Sequence, residues 1–384
     1  AEHIKVWNGF KEYDNPDKNS LDSYVKEFFK INDSIKEKGY DPELPPVPVN
    51  KDGYLLNGAH RLASCILNGK NINYEETVSP NAGQEDCTSY FFRNQGLDTR
   101  VCDSIAVEYA KLKENSFIVT LFPAATIQDN INDIRTIIME NGDVVHEKGV
   151  MLKGDGPLNL IRQMYDGEPW GGDFSNNFSG FALKEKYCFS PSPDSPVYAF
   201  LVEFDSIEKA HEVKRLIRDV YGISNHSVHI NDTHEETLRL ARVFFNDRSL
   251  HYLNNAVIQN YPRYNHLLGE LKDWMAENKY DSDEVCVTAS SVMSAFGMRE
   301  GQDLDYLYGG DVVPMQGNAL ISEHNKEIAN YTVGKDEIMY NDNNHFYFNG
   351  VKFASIGVIH ELKSKRSEPK DIRDIEIMEG MLKV

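Results

Sequence analysis

Apolar residues recur along this chain with helical spacing in some stretches and as short continuous or alternating runs in others, and the order of these patterns divides it in three. In "LDSYVKEFFKINDSIKEKG" Leu21, Tyr24, Val25, Phe28 and Ile35 share one face, which predicts an amphipathic helix. Prolines keep "YDPELPPVPV" extended. The next stretch, "GYLLNGAHRLASCILNGKNI", passes from Leu55 and Leu56 through Asn57-Gly58-Ala59-His60-Arg61 into Leu62, Cys65 and Ile66 at helical spacing. This strand-turn-helix closes a small α/β domain over residues 1–90. From 91 to 255 strands and helices alternate. "FIVTLF" (117–122) and "VYAFLVEF" (197–204) have the apolar, β-branched and aromatic content of buried strands. "SIEKAHEVKRLIRDVYG" sets Ile207, Ala210, Val213, Leu216, Ile217 and Val220 on a helical face, with Gly222 to close it. "HSVHI" is a short strand, and a further helix begins near Thr233. That order predicts a βαβα arrangement with functional groups at the carboxyl ends of strands. The third stretch, 256–384, opens with a helix carrying Leu267, Leu268, Leu271, Trp274 and Met275. The expected fold class is α/β (α+β multidomain).

Length supports more than one domain, because 384 residues exceed the ~250–300 at which single cores stop growing. A net charge of −20 opposes general attraction to nucleic acid or anionic membrane, so any nucleotide must be held by a local site. No apolar run approaches the ~20 residues of a membrane span, and "AEHIKVWNGF" lacks the basic start and apolar core of a signal peptide. The cysteines (65, 87, 102, 188 and 286) are odd in number and scattered without a CxxC pair, which argues against a disulfide framework or zinc knuckle and predicts a reducing, cytoplasmic compartment.

Three constellations are candidates for chemistry. The first is "VCVTASSVMSAFGMREGQDLDYLY": a strand, a small-residue turn, a short helix and a second strand on which Asp303 and Asp305 share a face. Two such carboxylates can hold a magnesium ion completed by water and substrate phosphates, and Ser290 and Ser291 leave backbone N–H groups at a helix start for those phosphates. The stretch resembles the polymerase-β-like nucleotidyltransferases, with their Gly-Ser turn and later Asp-x-Asp. "KFASIGVIHELKSKRSEPKDIRDIEIM" is similar to the Lys, Arg, Lys-Asp and Asp pattern of the C-terminal helices in antibiotic- and toxin-type members. The resemblance covers roughly 280 to 380 and implies Asp303 and Asp305 as metal ligands and Ser290 and Ser291 as phosphate binders. Ala289 stands where that family usually has Gly, and a third carboxylate has three candidates: Glu323, Asp336 and Glu337.

The second is the turn at 57–61. A glycine between strand and helix lets backbone approach a phosphate, and an arginine in the first helical turn can grip it bidentately. "NGAHRLAS" resembles the "DGxHR" turn of the ParB and sulfiredoxin-like fold, found in nucleotide-binding partition proteins and in kinases of free serine, with Asn57 in place of the usual Asp. The likeness implies that Asn57, Gly58, His60 and Arg61 hold nucleotide phosphates. The competing reading is a helix start capped by Asn57, with Arg61 in a surface ion pair.

The third is "HSVHINDTHEETLRLARVFF", which gathers His226, His229, Asp232, His234, Glu235 and Glu236 at a strand end and helix start. His234 or Glu235 is the candidate base; Asp232 as N-cap with Glu235 three positions on explains the same residues structurally. Nearby, "EPWGGDFSNNFSGFALKEK" reads as a glycine-rich hairpin closing over phosphates with Lys184 behind it, or as an ordinary surface loop.

Two phosphate-handling signatures on an acidic chain predict a Mg2+-dependent phosphotransferase using ATP or CTP on a sugar or other small metabolite, either a kinase at the NGAHR turn or a nucleotidyltransferase at Asp303 and Asp305. An ATP-dependent amide ligase modifying a sugar acid and a non-catalytic nucleotide sensor are the alternatives. The arrangement resembles multidomain proteins of bacterial surface-polysaccharide biosynthesis, which implies accompanying glycosyltransferase domains in a larger polypeptide.

Overall fold

The computed structural model describes residues 2–12, 15–41, 43–51, 53–77, 89–125 and 131–382; Cys87 lies outside them. The chain is mixed α/β and forms two compact units, Ala1–Cys102 and Asp103–Val384. Among the described residues no helix is long and apolar enough to cross a membrane.

The first unit runs α1 (Glu2–Asn8), α2 (Leu21–Lys38), β1 (Val47–Val49), α3 (Ala59–Leu67), β2 (Tyr74–Glu76) and α4 (Ser89–Asn94). A capping box at Ser20 starts α2. Its inward side is narrower than the sequence predicted: Tyr24 and Ile35 are buried, while Leu21 and Val25 are exposed. β1 and β2 pair in parallel, Val47 opposite Tyr74, with α2 packed on α3.

The second unit begins within α5 (Thr99–Leu112) and continues through β3 (Ser116–Leu121), α6 (Ile131–Asn141), β4 (Asp143–Val150), α7 (Gly156–Met164), α8 (Ser179–Phe189), β5 (Val197–Glu203), α9 (Ile207–Tyr221), β6 (Val228–Ile230), α10 (His234–Phe244) and α11 (Asp247–Asn255). Its first sheet has the order β4-β5-β3-β6, and every pairing is antiparallel. The βαβα expectation is therefore corrected: this is a split β-α-β-β-α-β arrangement, with β6 as an edge. The apolar side chains divide by alternation. Phe117, Val119, Leu121, Val228 and Ile230 face a core shared with α6 and α9. Ile118, Phe122, Ala199 and Leu201 face the larger core with Leu160, Phe181 and Leu240 of α7, α8 and α10.

The remainder is α12 (Pro262–Asn278), β7 (Val285–Thr288), α13 (Ser290–Ala295), β8 (Leu304–Tyr308), β9 (Ile321–Glu323), α14 (Lys335–Tyr340), β10 (His345–Phe348), β11 (Val351–Ala354), α15 (Ile356–Arg366) and α16 (Pro369–Leu382). Its five-stranded sheet has the order β10-β11-β7-β8-β9, with β7 antiparallel to β8 and parallel to β11. The division expected at 255 falls inside the larger core, where Tyr252 of α11 stacks on Phe346 of β10 with centroids 4.6 Å apart.

Candidate functional site

Period-two alternation on β6 sends Val228 and Ile230 into one core and leaves His229 on the opposite face. Its cross-strand partner on β3 is Thr120. Both side chains are buried, and the His229 Nε2 and Thr120 Oγ1 have no hydrogen-bond partner. The ring of Tyr165 meets His229 edge-on, with centroids 5.1 Å apart. Burial, reinforced by Lys214, pulls the His229 pKa down to about 3, so the imidazole is neutral near pH 7.

Cations surround this pair. Lys184 of α8 is buried and donates to the Asn225 carbonyl, its ammonium 5.6 Å from the Tyr165 ring centre and 5.4 Å from that of Phe122. Burial lowers its pKa, as it does for Lys214, which donates to the Ile230 carbonyl at 2.7 Å and stands 3.7 Å from Asp232. Lys214 and Arg218 lie one helical turn apart on α9, beside the buried Val213 and Ile217. The Nε atoms of Arg218 and Arg239 are buried without partners, although Arg239 reaches the Met164 carbonyl at 3.3 Å and Glu236 at 3.5 Å through Nη2. Beside α9 an open cleft of about 650 Å³ is lined by His211, Lys214, Arg215, Arg218, Gly222 and Ser224 and by two carboxylates, Asp219 and Asp232. His211 Nε2 is 2.9 Å from Asp232 Oδ1. Buried polar groups are normally satisfied, and basic side chains are costly to bury without a counter-charge. A polyanion such as a di- or triphosphate meets both requirements through charge-assisted hydrogen bonds.

Of the residues singled out beside this strand, His234 is engaged elsewhere, donating from Nε2 to the Ala110 carbonyl at 2.7 Å, and Glu235 is exposed on the first turn of α10. The cap of that helix is Thr233, not Asp232: its side chain accepts from the Glu236 N–H. The glycine-rich stretch is not a hairpin but two short 3-10 turns leading into α8. Gly180 packs so closely that a Cβ there would lie 1.9 Å from the Trp170 carbonyl oxygen. Sequence reasoning passed over Thr120, Tyr165, Lys214, Arg218 and Arg239, and it ranked His229 behind His234.

In the first unit Gly58 begins α3 with φ 90° and ψ 24°, the left-handed conformation that suits glycine. Its N–H donates to Asn57 Oδ1 at 2.6 Å. Arg61 folds back to donate to the Pro45 carbonyl at 2.6 Å and to Tyr40 Oη at 3.1 Å. His60 packs its ring against Phe28 and Tyr24, and burial lowers its pKa. A phosphate at this turn must displace Arg61 from two oxygens.

At the C-terminal end Asp303 is exposed just before β8, and Asp305 within it is buried. Asp305 Oδ1 accepts from Ser322 at 3.0 Å and lies 3.4 Å from His324 Nε2. Burial raises its pKa, His324 opposing and Asp303 adding to the rise. Ser322 is the strand partner of Asp305, so Glu323 falls on the other face, paired with Lys326 at 2.9 Å. Asp336 and Glu337 stand in the first turn of α14. Among the described residues no three His, Cys, Asp or Glu side chains gather as a metal would require, so Asp303 and Asp305 supply only part of a magnesium shell. Ser290 opens α13, and Ser291 donates to the Asp303 carbonyl at 3.1 Å, tying the turn to the strand. The basic residues here are paired. Lys363 lies 2.7 Å from Asp374 and 3.2 Å from Asp371, Arg366 lies 2.6 Å from Asp371, and Arg299 grips Asp374 with two bonds of 2.6 Å.

Compared with protein-family models, curated proteins and solved structures, the chain matches none.

Proposed function

We propose that this chain is a nucleotide-using phosphotransferase acting on a small hydroxyl-bearing metabolite such as a sugar, with its chemistry at His229. The observation that carries this reading is a neutral, buried imidazole with an unpartnered Nε2, close to a buried Lys184 that is held by a backbone carbonyl and two rings. A neutral histidine is a competent nucleophile toward phosphorus. Lys184, Lys214 and Arg218 bind the donor phosphates and offset the charge that builds on them during transfer. The His229 Nε2 attacks the terminal phosphorus, the bond to the bridging oxygen breaks, and the nucleoside diphosphate leaves. The acceptor hydroxyl then takes the phosphoryl group from nitrogen, losing its proton to the His211–Asp232 pair at the cleft. Magnesium enters with ATP or CTP as the nucleotide's counter-ion. Asp305, buried and bonded to Ser322, serves the C-terminal framework in this reading.

The test is incubation with terminally labelled ATP and magnesium, followed by acid and alkali treatment. Acid-labile, alkali-stable label on the protein, absent from His229→Gln, is the expected result. Label that persists in His229→Gln, or none in a protein that still turns over ATP, would sink it.

A further inference from the structure

Resting on that reading, we infer that Tyr187 and His226 form the platform on which the donor's base stacks, making the ligand of the cleft a nucleotide rather than a bare polyphosphate. The two rings lie 4.8 Å apart, inclined by 34°, so His226 covers one side of Tyr187 while about half of the tyrosine stays exposed. Their place relative to the cations is fixed from both sides. Tyr187 follows Lys184 by three residues on α8, so the two side chains leave the same face of the helix. The Lys184 ammonium is hydrogen-bonded to the carbonyl of Asn225, the residue before His226. Ser224, two residues earlier in the same short 3-10 helix, lines the cleft together with Lys214 and Arg218. Phosphates held by Lys184, Lys214 and Arg218 therefore place the other end of the ligand beside the two rings. Burial, with Lys184 beside it, lowers the His226 pKa, and its Nδ1 is buried without a partner. An open aromatic face beside an array of cations is the general arrangement for holding a base and its phosphates together.

Calorimetry with ATP and with inorganic triphosphate, on wild type, Tyr187→Ala and Tyr187→Phe, tests the inference. Base stacking on one aromatic ring is worth a factor of roughly 5 to 160. Wild type and Tyr187→Phe should bind ATP at least about tenfold tighter than triphosphate. In Tyr187→Ala that gap should collapse while triphosphate binding stays the same, which also shows that the variant is folded. Equal binding of the two ligands by wild type, or a gap that survives in Tyr187→Ala, overturns the platform and leaves the anion site standing. If wild type binds neither ligand, the phosphotransferase reading fails and the platform with it.

Discussion

Lys184 on α8 and Lys363 on α15 are both lysines with almost no exposed surface, 7% and 2%. Lys363 bridges two carboxylates, at 2.7 and 3.2 Å, whereas Lys184 has a backbone carbonyl and the faces of two rings. The same contrast extends to their neighbours. Around Lys363, Arg299 and Arg366 are matched by Asp374 and Asp371, and at a separate place in the unit Arg242 and Lys111 converge on Asp283 at 3.1 and 2.5 Å. Around Lys184 the pairing is looser: Lys214 stands 3.7 Å from the exposed Asp232, Arg239 stands 3.5 Å from Glu236, and Arg218 has a buried Nε with no partner. A matched set of charges holds a fold together and needs nothing from outside. A loosely matched set that includes a lysine without a carboxylate is stabilised by a ligand of opposite charge, which makes the edge of β6 the better candidate for binding although the sequence motifs favoured the C-terminal pair.

Turnover should separate the two regions most widely. His229→Gln is expected to lower phosphotransfer by at least about a thousandfold, the scale on which loss of a nucleophile is felt. Asp305→Asn should change it by less than about threefold. Steady-state rates on both variants decide the matter, and the reverse ranking would return the chemistry to the carboxylates.

Stability should separate them in the opposite sense. Asp371→Ala takes from Arg366 its closest partner and from the buried Lys363 one of its two carboxylates, leaving Asp374, and should cost about 3 kcal/mol in urea unfolding. Lys184→Met removes a buried ammonium with no counter-ion and should cost less than ~1 kcal/mol or raise stability, while abolishing most triphosphate affinity. A large loss of stability in Lys184→Met would mark it as a structural residue.

These regions were unequally legible in the sequence. The spacing of Ala210, Val213 and Ile217 and the closing Gly222 mark α9, because an amphipathic helix with a left-handed glycine cap is a local pattern. Strand direction is not local, so the antiparallel sense of the sheet was hidden, and the mixed polarity of "DVVHEKGV" concealed β4. The choice of His234 over His229 had a readable remedy. His229 alternates with Val228 and Ile230, so period two places a polar ring on a buried face, whereas His234 begins a helix. Lys214 and Arg218 look like any solvated helix face until β6 is packed beside them. Gly180 resembles flexible loop material, and only the nearness of the Trp170 backbone shows that it is there for lack of a side chain.

Acidity sharpens the contrast further. With a folded pKa of about 3 against an ordinary value near 6.5, His229 stays unprotonated in the native state at pH values where the unfolded chain takes up a proton. Its contribution is fully present above the unfolded value and is lost as pH falls toward the folded one, by about 1.4 kcal/mol per unit between roughly pH 6 and 4. Urea unfolding of His229→Gln over that range should show a shallower decline than wild type by this amount. Parallel curves would mean that the imidazole protonates in the folded protein and is less enclosed than its burial indicates.

The smallest effect is expected at Ala289, where the turn before α13 has φ 53° and ψ −134°. That conformation is at home in glycine and strained for any residue with a Cβ. Relief of strain in Ala289→Gly is worth about 1–3 kcal/mol, and the greater freedom of glycine in the unfolded chain offsets ~0.5–1 of it. A net gain of about 1 kcal/mol should therefore appear in urea unfolding. Substitution here also removes the Cβ from the turn, bringing its backbone into reach of a phosphate without altering Ser290, Ser291 or the aspartates. If the chemistry resides at His229, stability rises and the transfer rate stays level. A rate that climbs together with stability would mean that Ala289 was restraining a working site, and the distinction between a matched and an unmatched region would no longer predict which one acts.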